Sequence, residues 1–141
     1  MPASDVIAKA RLNWRRGTTY TAAPAHTYFA LMTANPDGSN AGGTELTGTS
    51  YARVSVTSNT SEWTAPAQPG GAGTDWESSN VNTISWGNAA GDWTGPIVAV
   101  AEYDASSSGN LLSYKVLSPS VSVVTGAVIQ ILAGGYLVKD S

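Results

Sequence analysis

The 141-residue chain contains no cysteine. Disulfide staples, thiolate metal sites and cysteine nucleophiles are therefore excluded, and a chain without thiols fits synthesis in a cytoplasm. Histidine is almost as scarce, His26 being the only one. A histidine-rich metal centre is excluded. Any Ser-His-Asp triad would have to use that residue, and no G-x-S-x-G elbow exists to present a serine. Charge is sparse too: Asp, Glu, Lys and Arg make up 12%, about half the usual ~25%. Yet 42% of the residues are hydrophobic, too many for a disordered chain, which combines low hydrophobicity with high net charge. No apolar run reaches the ~18 residues of a membrane span. The longest, Val121 to Val138, is interrupted by Ser122, Thr125, Gly126, Gln130 and the Gly134-Gly135 pair. The N-terminus has no apolar h-region and does not read as a signal peptide. No internal repeat is present, which argues against solenoids and propellers.

The length suits one domain. Its net charge of −3 is unevenly spread. Residues 1–16 carry Lys9, Arg11, Arg15 and Arg16 against Asp5, whereas the rest has only Arg53, Lys115 and Lys139 against nine acids. A basic N-terminal arm thus precedes an acidic body, and an acidic body argues against a nucleic-acid partner. Residues 4–16 read as one helix, with Ser4 as cap, Asp5 in the first turn, Arg15 and Arg16 in the last and Gly17 as stop. Ile7, Ala10 and Trp14 form its narrow apolar stripe.

After Gly17 the pattern becomes that of strands. Tyr28–Thr33 and Tyr51–Thr57 are expected strands, the latter with its apolar face on Ala52, Val54 and Val56. Asn80–Trp86 is the next, with Ile84 and Trp86 opposite Val81, Thr83 and Ser85. A strand from Ile97 towards Asp104 reads as buried on both faces. Leu111–Leu117 is expected to be closed by Pro119, and Ser120–Thr125 and Ala127–Leu132 to form a hairpin at Thr125-Gly126. Tyr136–Val138 adds a short last strand. Asn35-Pro36-Asp37-Gly38 is a turn, Pro66–Asp75 a long exposed loop, and 104–110 a turn. About eight strands at this spacing predict an all-β fold: a jelly-roll-like antiparallel β-sandwich over 18–141, with a helical arm over 1–17.

Candidate chemistry is thin. Glu102 with Asp104, and Asp75 with Glu77, are carboxylate pairs of the kind glycosidases and calcium sites use. Neither sits in a ligand-dense loop, and solvated strand ends explain both. The Gly70-Gly71-Ala72-Gly73 stretch lacks the pattern of a phosphate loop and reads as flexible. No enzyme activity, cofactor or metal is expected. Tryptophan is the unusual feature: Trp63, Trp76, Trp86 and Trp93 cluster along the chain. Trp86 alternates with Ile84 and reads as core. Trp63 and Trp76 border the long loop and are candidates for an interface or for stacking on a sugar.

Several short pieces, in order, resemble a family of virion proteins of short-tailed bacteriophages. They are Arg16-Gly17-Thr18-Thr19-Tyr20-Thr21, Tyr28–Thr33 with Asn35-Pro36-Asp37, Gly43-Thr44-Glu45-Leu46, Gly48–Val54, Asn82–Trp86, Gly91-Asp92-Trp93-Thr94 and Tyr103–Leu112. The loop Gln68–Ser78 departs from the pattern. Members of this family are labelled tail-fibre or minor tail proteins, and similar small β-sandwiches decorate capsids. The resemblance implies a non-enzymatic structural protein of the virion, made in the host cytoplasm. With no repeats or heptads to build a shaft, a compact unit suits capsid decoration first. Such a cement protein would bridge capsid subunits and raise the barrier to shell opening. A tail or tail-fibre component, or a host-glycan-binding module, is the alternative. The expected partners are the major capsid protein or other virion proteins and further copies of the chain, a trimer suiting threefold positions; no membrane partner is expected. The contact residues expected are Arg11, Trp14, Arg15, Arg16, Trp63 and Trp76.

Overall fold

The computed structural model describes residues 4–18, 22–39 and 42–140. It opens with helix α1 (Asp5–Arg15), as the capping signals require. Ser4 is extended, and its Oγ accepts the Ile7 N–H at 3.4 Å, which satisfies one of the amides a first turn leaves unpaired. Asp5 and Arg15 complement the helix dipole at either end. The chain leaves through Gly17 at φ 74°, whose N–H bonds the Trp14 carbonyl at 3.0 Å.

Nine strands follow among the described residues: β1 (His26–Ala34), β2 (Thr44–Glu45), β3 (Val54–Thr57), β4 (Trp76–Ser79), β5 (Ile84–Asn88), β6 (Ile97–Tyr103), β7 (Leu111–Val121), β8 (Val128–Ile131) and β9 (Leu137–Asp140). All their pairings are antiparallel. The fold is the expected all-β sandwich with a short N-terminal helix. One layer is a five-stranded sheet, in which β1 lies between β6 and the shorter β2 and β3, and β7 flanks β6. The other layer consists of the ribbons β4–β9 and β5–β8.

Strand β1 organises the large sheet. One edge pairs with β6 from Tyr28 to Met32. The other is divided between β3, which takes His26–Phe29, and β2, which takes Met32 and Ala34. At the division Leu31 would lose its partners, and a buried unpaired amide is costly. Its N–H instead bonds Tyr51 Oη at 3.0 Å, and its carbonyl accepts the Leu46 N–H at 2.8 Å.

Arg53 holds this division in place. Its Nε and Nη2 grip the Glu45 carboxylate at 2.8–3.2 Å. Its Nη1 bonds the carbonyls of Ala105 and Ser108 at 2.9 and 2.8 Å. The guanidinium lies 3.9 Å from the Tyr103 ring centre, a cation–π contact. With the side chain 6% exposed, one residue ties β2, the approach to β3 and the β6–β7 turn together. Burial disfavours the Arg53 charge, but the adjacent Glu45 outweighs it and keeps the guanidinium firmly protonated. The Tyr51 hydroxyl also donates to Glu45 at 3.0 Å. Burial first, and the Glu45 charge second, push that phenol well above its ordinary value.

The main core lies between the layers. Phe29, Leu31, Val56 and Val100 of the large sheet meet Ile84, Trp86 and Tyr136 from the other side. Tyr136 stands edge-on to Phe29 with ring centres 4.9 Å apart, a favoured aromatic geometry. The indole N–H of Trp86 donates to the Phe29 carbonyl at 3.1 Å. Asn80 closes the far corner: its Nδ2 donates to the carbonyls of Asn82 and Leu132, and its Oδ1 accepts the Tyr136 N–H. A smaller cluster of Ala30, Met32, Ala99, Ala101, Tyr103 and Leu111 fills the sheet's opposite face.

Several expectations are corrected. The strand expected over Asn80–Trp86 is a corner at Asn80 followed by β5, although Ile84 and Trp86 do face the core. The segment before it forms a strand of its own, β4. Pro119 does not end β7, because β7 is an edge strand, where a missing N–H costs no ladder bond. The expected hairpin at Thr125-Gly126 does not form: β8 pairs with β5 instead, which brings Ile129 and Ile131 against the core. The Gly-rich loop is exposed but braced, with Gln68 Nε2 bonded to the Thr74 carbonyl at 2.8 Å.

Replacing Arg53 tests its role. Arg53→Ala is expected to cost about 3 kcal/mol, because it strands the Glu45 carboxylate and two carbonyls. Arg53→Lys should recover less than half of this, since an ammonium lacks the planar fork. Urea denaturation of the three proteins measures both values.

Candidate functional site

The residues suggestive of catalysis serve the scaffold. His26 is exposed at the start of β1, its Nδ1 3.4 Å from Thr57 Oγ1. Asp104 accepts the Asn110 backbone N–H and side-chain amide, each at 2.7 Å, and so shapes the β6–β7 turn. Glu102 points the other way, into the sandwich, where it accepts the Ser113 hydroxyl at 2.6 Å. Glu77 pairs with Lys139 across β4–β9 at 2.7 Å. Glu102 and Asp104 are thus divided between separate contacts, whereas Glu77 and Asp75 both favour the charged Lys139.

Burial raises the Glu102 pKa, and the Ser113 bond only partly offsets this. The neighbouring Thr27 side chain acts in the same direction as Ser113, although the buried Thr27 Oγ1 meets no hydrogen-bond geometry. Ser113 Oγ also lies 2.9 Å from the fully buried Tyr136 hydroxyl, whose phenol pKa burial drives far upward. A folded-state carboxyl pKa above the unfolded one means that folding favours the proton. The Glu102 contribution to stability is then full at acid pH and is lost as pH rises from the ordinary carboxylate range through the raised folded value. Glu102→Gln is expected to remove this slope and to stabilise the protein by about 1 kcal/mol or more at pH 8. Thermal melts of both proteins from pH 4 to pH 9 check it.

The expected contact residues divide into two groups. Trp63 is half-buried, its ring centre 6.0 Å from that of Phe29, and it packs against the core. The bridge between Trp63 and Asn80 turns this segment towards the core. Trp86 and Trp93 are buried. Trp93 donates its indole N–H to the Thr49 carbonyl at 2.8 Å, while Asp92 accepts the Thr49 N–H and hydroxyl at 2.9–3.0 Å. These Thr49 bonds hold the Asp92 carboxyl below its ordinary pKa.

The other group converges. Arg11 forms an ion pair with Asp140. Asp140 stands directly opposite Trp76 in the β4–β9 register, and opposed residues of an antiparallel pair share a face. The pair therefore brings the Arg11 side chain to the face of β9 that Trp76, 52% exposed, shares from β4. Arg15 lies one turn beyond Arg11 on the same side of the helix. Trp14 and Leu12 are each 65% exposed. Trp14 leaves the apolar stripe it was expected to share with the half-buried Ile7 and Ala10, which pack over a groove of the body while Trp14 stays exposed. The groove, of about 880 Å³, is lined by Val6, Ile7, Ala10 and Asn13 of the helix, and by Pro24 and Leu112 of the body. Ion pairs among the described residues use Arg11, Arg53 and Lys139; Lys115 bonds the Gly135 carbonyl, and the arm's Lys9, Arg15 and Arg16 enter none of these pairs. Leu12 and Asp140 were not expected here: one is a single exposed apolar residue, the other an acid distant in sequence that only the fold brings to the arm.

Trp14 and Trp76 are thus both open to solvent. The exposure itself is testable. Acrylamide should quench Trp14 and Trp76 and spare Trp86 and Trp93. The double variant Trp14→Phe, Trp76→Phe should shift the remaining emission to the blue with its melting temperature unchanged.

The model of the family described as Podophage GP4 fiber I protein gp80 matches residues 2–139, almost the whole chain. No curated protein matches. The pieces that carried the resemblance now have physical roles: Glu45, Tyr51, Arg53, Tyr103 and Ser108 form the Arg53 cluster, and Thr49, Asp92 and Trp93 the second tie. Thr19, Tyr20 and Thr21 lie outside the described residues.

Proposed function

Because the chain belongs to the family of Podophage GP4 fiber I protein gp80, we propose that it is a non-enzymatic virion component that docks through its N-terminal arm and Trp76. Membership in a phage fibre family makes it a structural protein of the virion. The family description favours a place in a fibre assembly over the capsid-cement role expected from the sequence. A compact sandwich with no repeats cannot extend a shaft by itself, so it serves as a globular unit joined to neighbours.

The observation that carries the docking role is the Arg11–Asp140 pair, which links the arm to the strand pair that carries Trp76. The α1 helix contributes no buried residue to the core, so its aromatic and basic side chains remain for a partner. The arm's positive charge steers it towards an acidic virion surface. Many copies on one particle would make modest single contacts effective through multivalency. The scaffold roles of Glu102, Asp104 and Glu77 support the non-enzymatic reading.

The double variant Arg15→Glu, Arg16→Glu tests the arm. Incorporation into particles, read by quantitative mass spectrometry of purified virions, should fall about tenfold or more, while the melting temperature stays the same. Full incorporation of the charge-reversed protein would sink the docking role.

A further inference from the structure

We infer that the cleft between β7 and β8 is a binding site for a small, uncharged apolar molecule the size of a single aromatic ring. The cleft exists because each layer departs from regular pairing where it borders the opening. In the large sheet Ile97 pairs with Val121 and Ala99 with Val116, so β6 advances two residues while β7 advances five. Residues 117–120 therefore form a bulge at the end of the sheet. In the other layer Ser85 pairs with Gln130 and Gly87 with Ile129, which makes Trp86 an extra residue in β5. A bulge bends its strand and re-aims the side chains beside it. Strands β7 and β8 belong to different sheets and do not pair with each other. The sandwich thus stays open along this side, directly over its core.

The cleft measures about 190 Å³. Its floor is Leu31, Ile97 and Val100, none more than 2% exposed. Trp86 lines it from the β5 bulge, and Val121 from the end of the β7 bulge. Val128 of β8 stands at the mouth, 52% exposed. None of the lining residues is charged. Their polar side-chain groups are the Gln130 amide and the Trp86 indole N–H, and the indole is already bonded to the Phe29 carbonyl.

Size and lining together select the occupant. An apolar protein cavity of about 150 Å³ takes up benzene from water, so this slightly larger cleft has room for one ring or a short branched chain. Moving such a molecule out of water is favourable, and no charge in the lining has to be desolvated to admit it. An ion would lose its hydration against hydrocarbon and find no opposite charge. A protein partner fits less well. A standard interface takes about 800 Å² from each side, with an apolar centre. The residues next to Leu117 and Val121 on this edge include the exposed hydroxyls of Ser118, Ser120 and Ser122. The cleft thus suits a free molecule, and the inference does not depend on the docking role of the arm.

Titration of the isotope-labelled full chain with benzene to about 10 mM, followed by heteronuclear NMR, tests it. The indole N–H signal of Trp86 is expected to move saturably, with a Kd of about 1 mM or tighter. The signals of Trp14 and Trp76 should stay in place. Benzoate, the same ring with a charge, should bind about tenfold more weakly or worse. Val121→Asp and Val128→Asp should each weaken benzene binding about tenfold or more, while keeping the dispersed spectrum of a folded chain, since both valines are exposed. Val124→Asp, on an exposed valine outside the cleft, should leave binding unaltered. N-acetylphenylalaninamide presents the ring as a protein side chain does, and its amides should make it bind more weakly than benzene. Equal binding would assign the cleft to a partner's side chain and overturn the free-molecule reading. A wild-type Trp86 signal indifferent to benzene, movement of Trp14 and Trp76 in its place, or binding indifferent to both aspartates would also overturn the inference. A chain that ignores benzene yet enters particles through its arm would overturn it and leave the proposed function standing.

Discussion

The fold depends on how the Arg53 guanidinium is satisfied. A buried cation is tolerable only with its charge paired and its N–H groups bonded. Arg53 meets both conditions by drawing on three separate parts of the chain: Glu45 from β2, the carbonyls of Ala105 and Ser108 from the β6–β7 turn, and the Tyr103 ring from β6. Its position beside β3 makes it the fastening between the two short strands that share the edge of β1. That sharing in turn depends on Tyr51 and Leu46 to satisfy Leu31 at the gap. Without the cluster the division of β1 would be a defect; with it, two short strands close a sheet edge in place of one long strand.

The remaining buried polar groups follow the same logic at other corners. Asn80 uses both ends of its amide to hold the chain before β5 to the segment that enters β9. Trp86 and Trp93 spend their indole N–H groups on backbone carbonyls. Glu102 is the exception, a carboxyl whose burial works against its charged form. Each is a specific bond in a small core that apolar packing by itself would leave loosely defined.

The surface is divided by charge, and the division organises the functional proposals. The arm gathers arginines and Trp14 and is linked by one ion pair to β9, whose Asp140 lies opposite Trp76. The β5–β8 ribbon is built from two stretches, 78–91 and 116–138, that contain no charged residue of their own. Charge suits the arm to the docking proposed for it, because it steers and discriminates.

The sequence by itself determined the elements whose signals are local. The cap and stop of α1, the doubly buried run of β6, the inward set of Ile84 and Trp86 and the all-β class each follow from propensity and period over a few residues. The resemblance carried by Gly48–Val54 and Tyr103–Leu112 was likewise legible, as was the basic arm. What only the tertiary structure decided was pairing. That β8 joins β5 and not β7, that Arg53 meets Glu45 and Ser108, that Asp140 brings Arg11 to Trp76, and that Trp63 turns inward while Trp76 does not, are outcomes of contacts between segments far apart in the chain. Strand edges are chemically alike, so alternation within a strand says which face is buried but not which neighbour it takes. The choice belongs to the fold as a whole, where burying Ile129 and Ile131 over Trp86 and closing the polar shell of Arg53 are satisfied together.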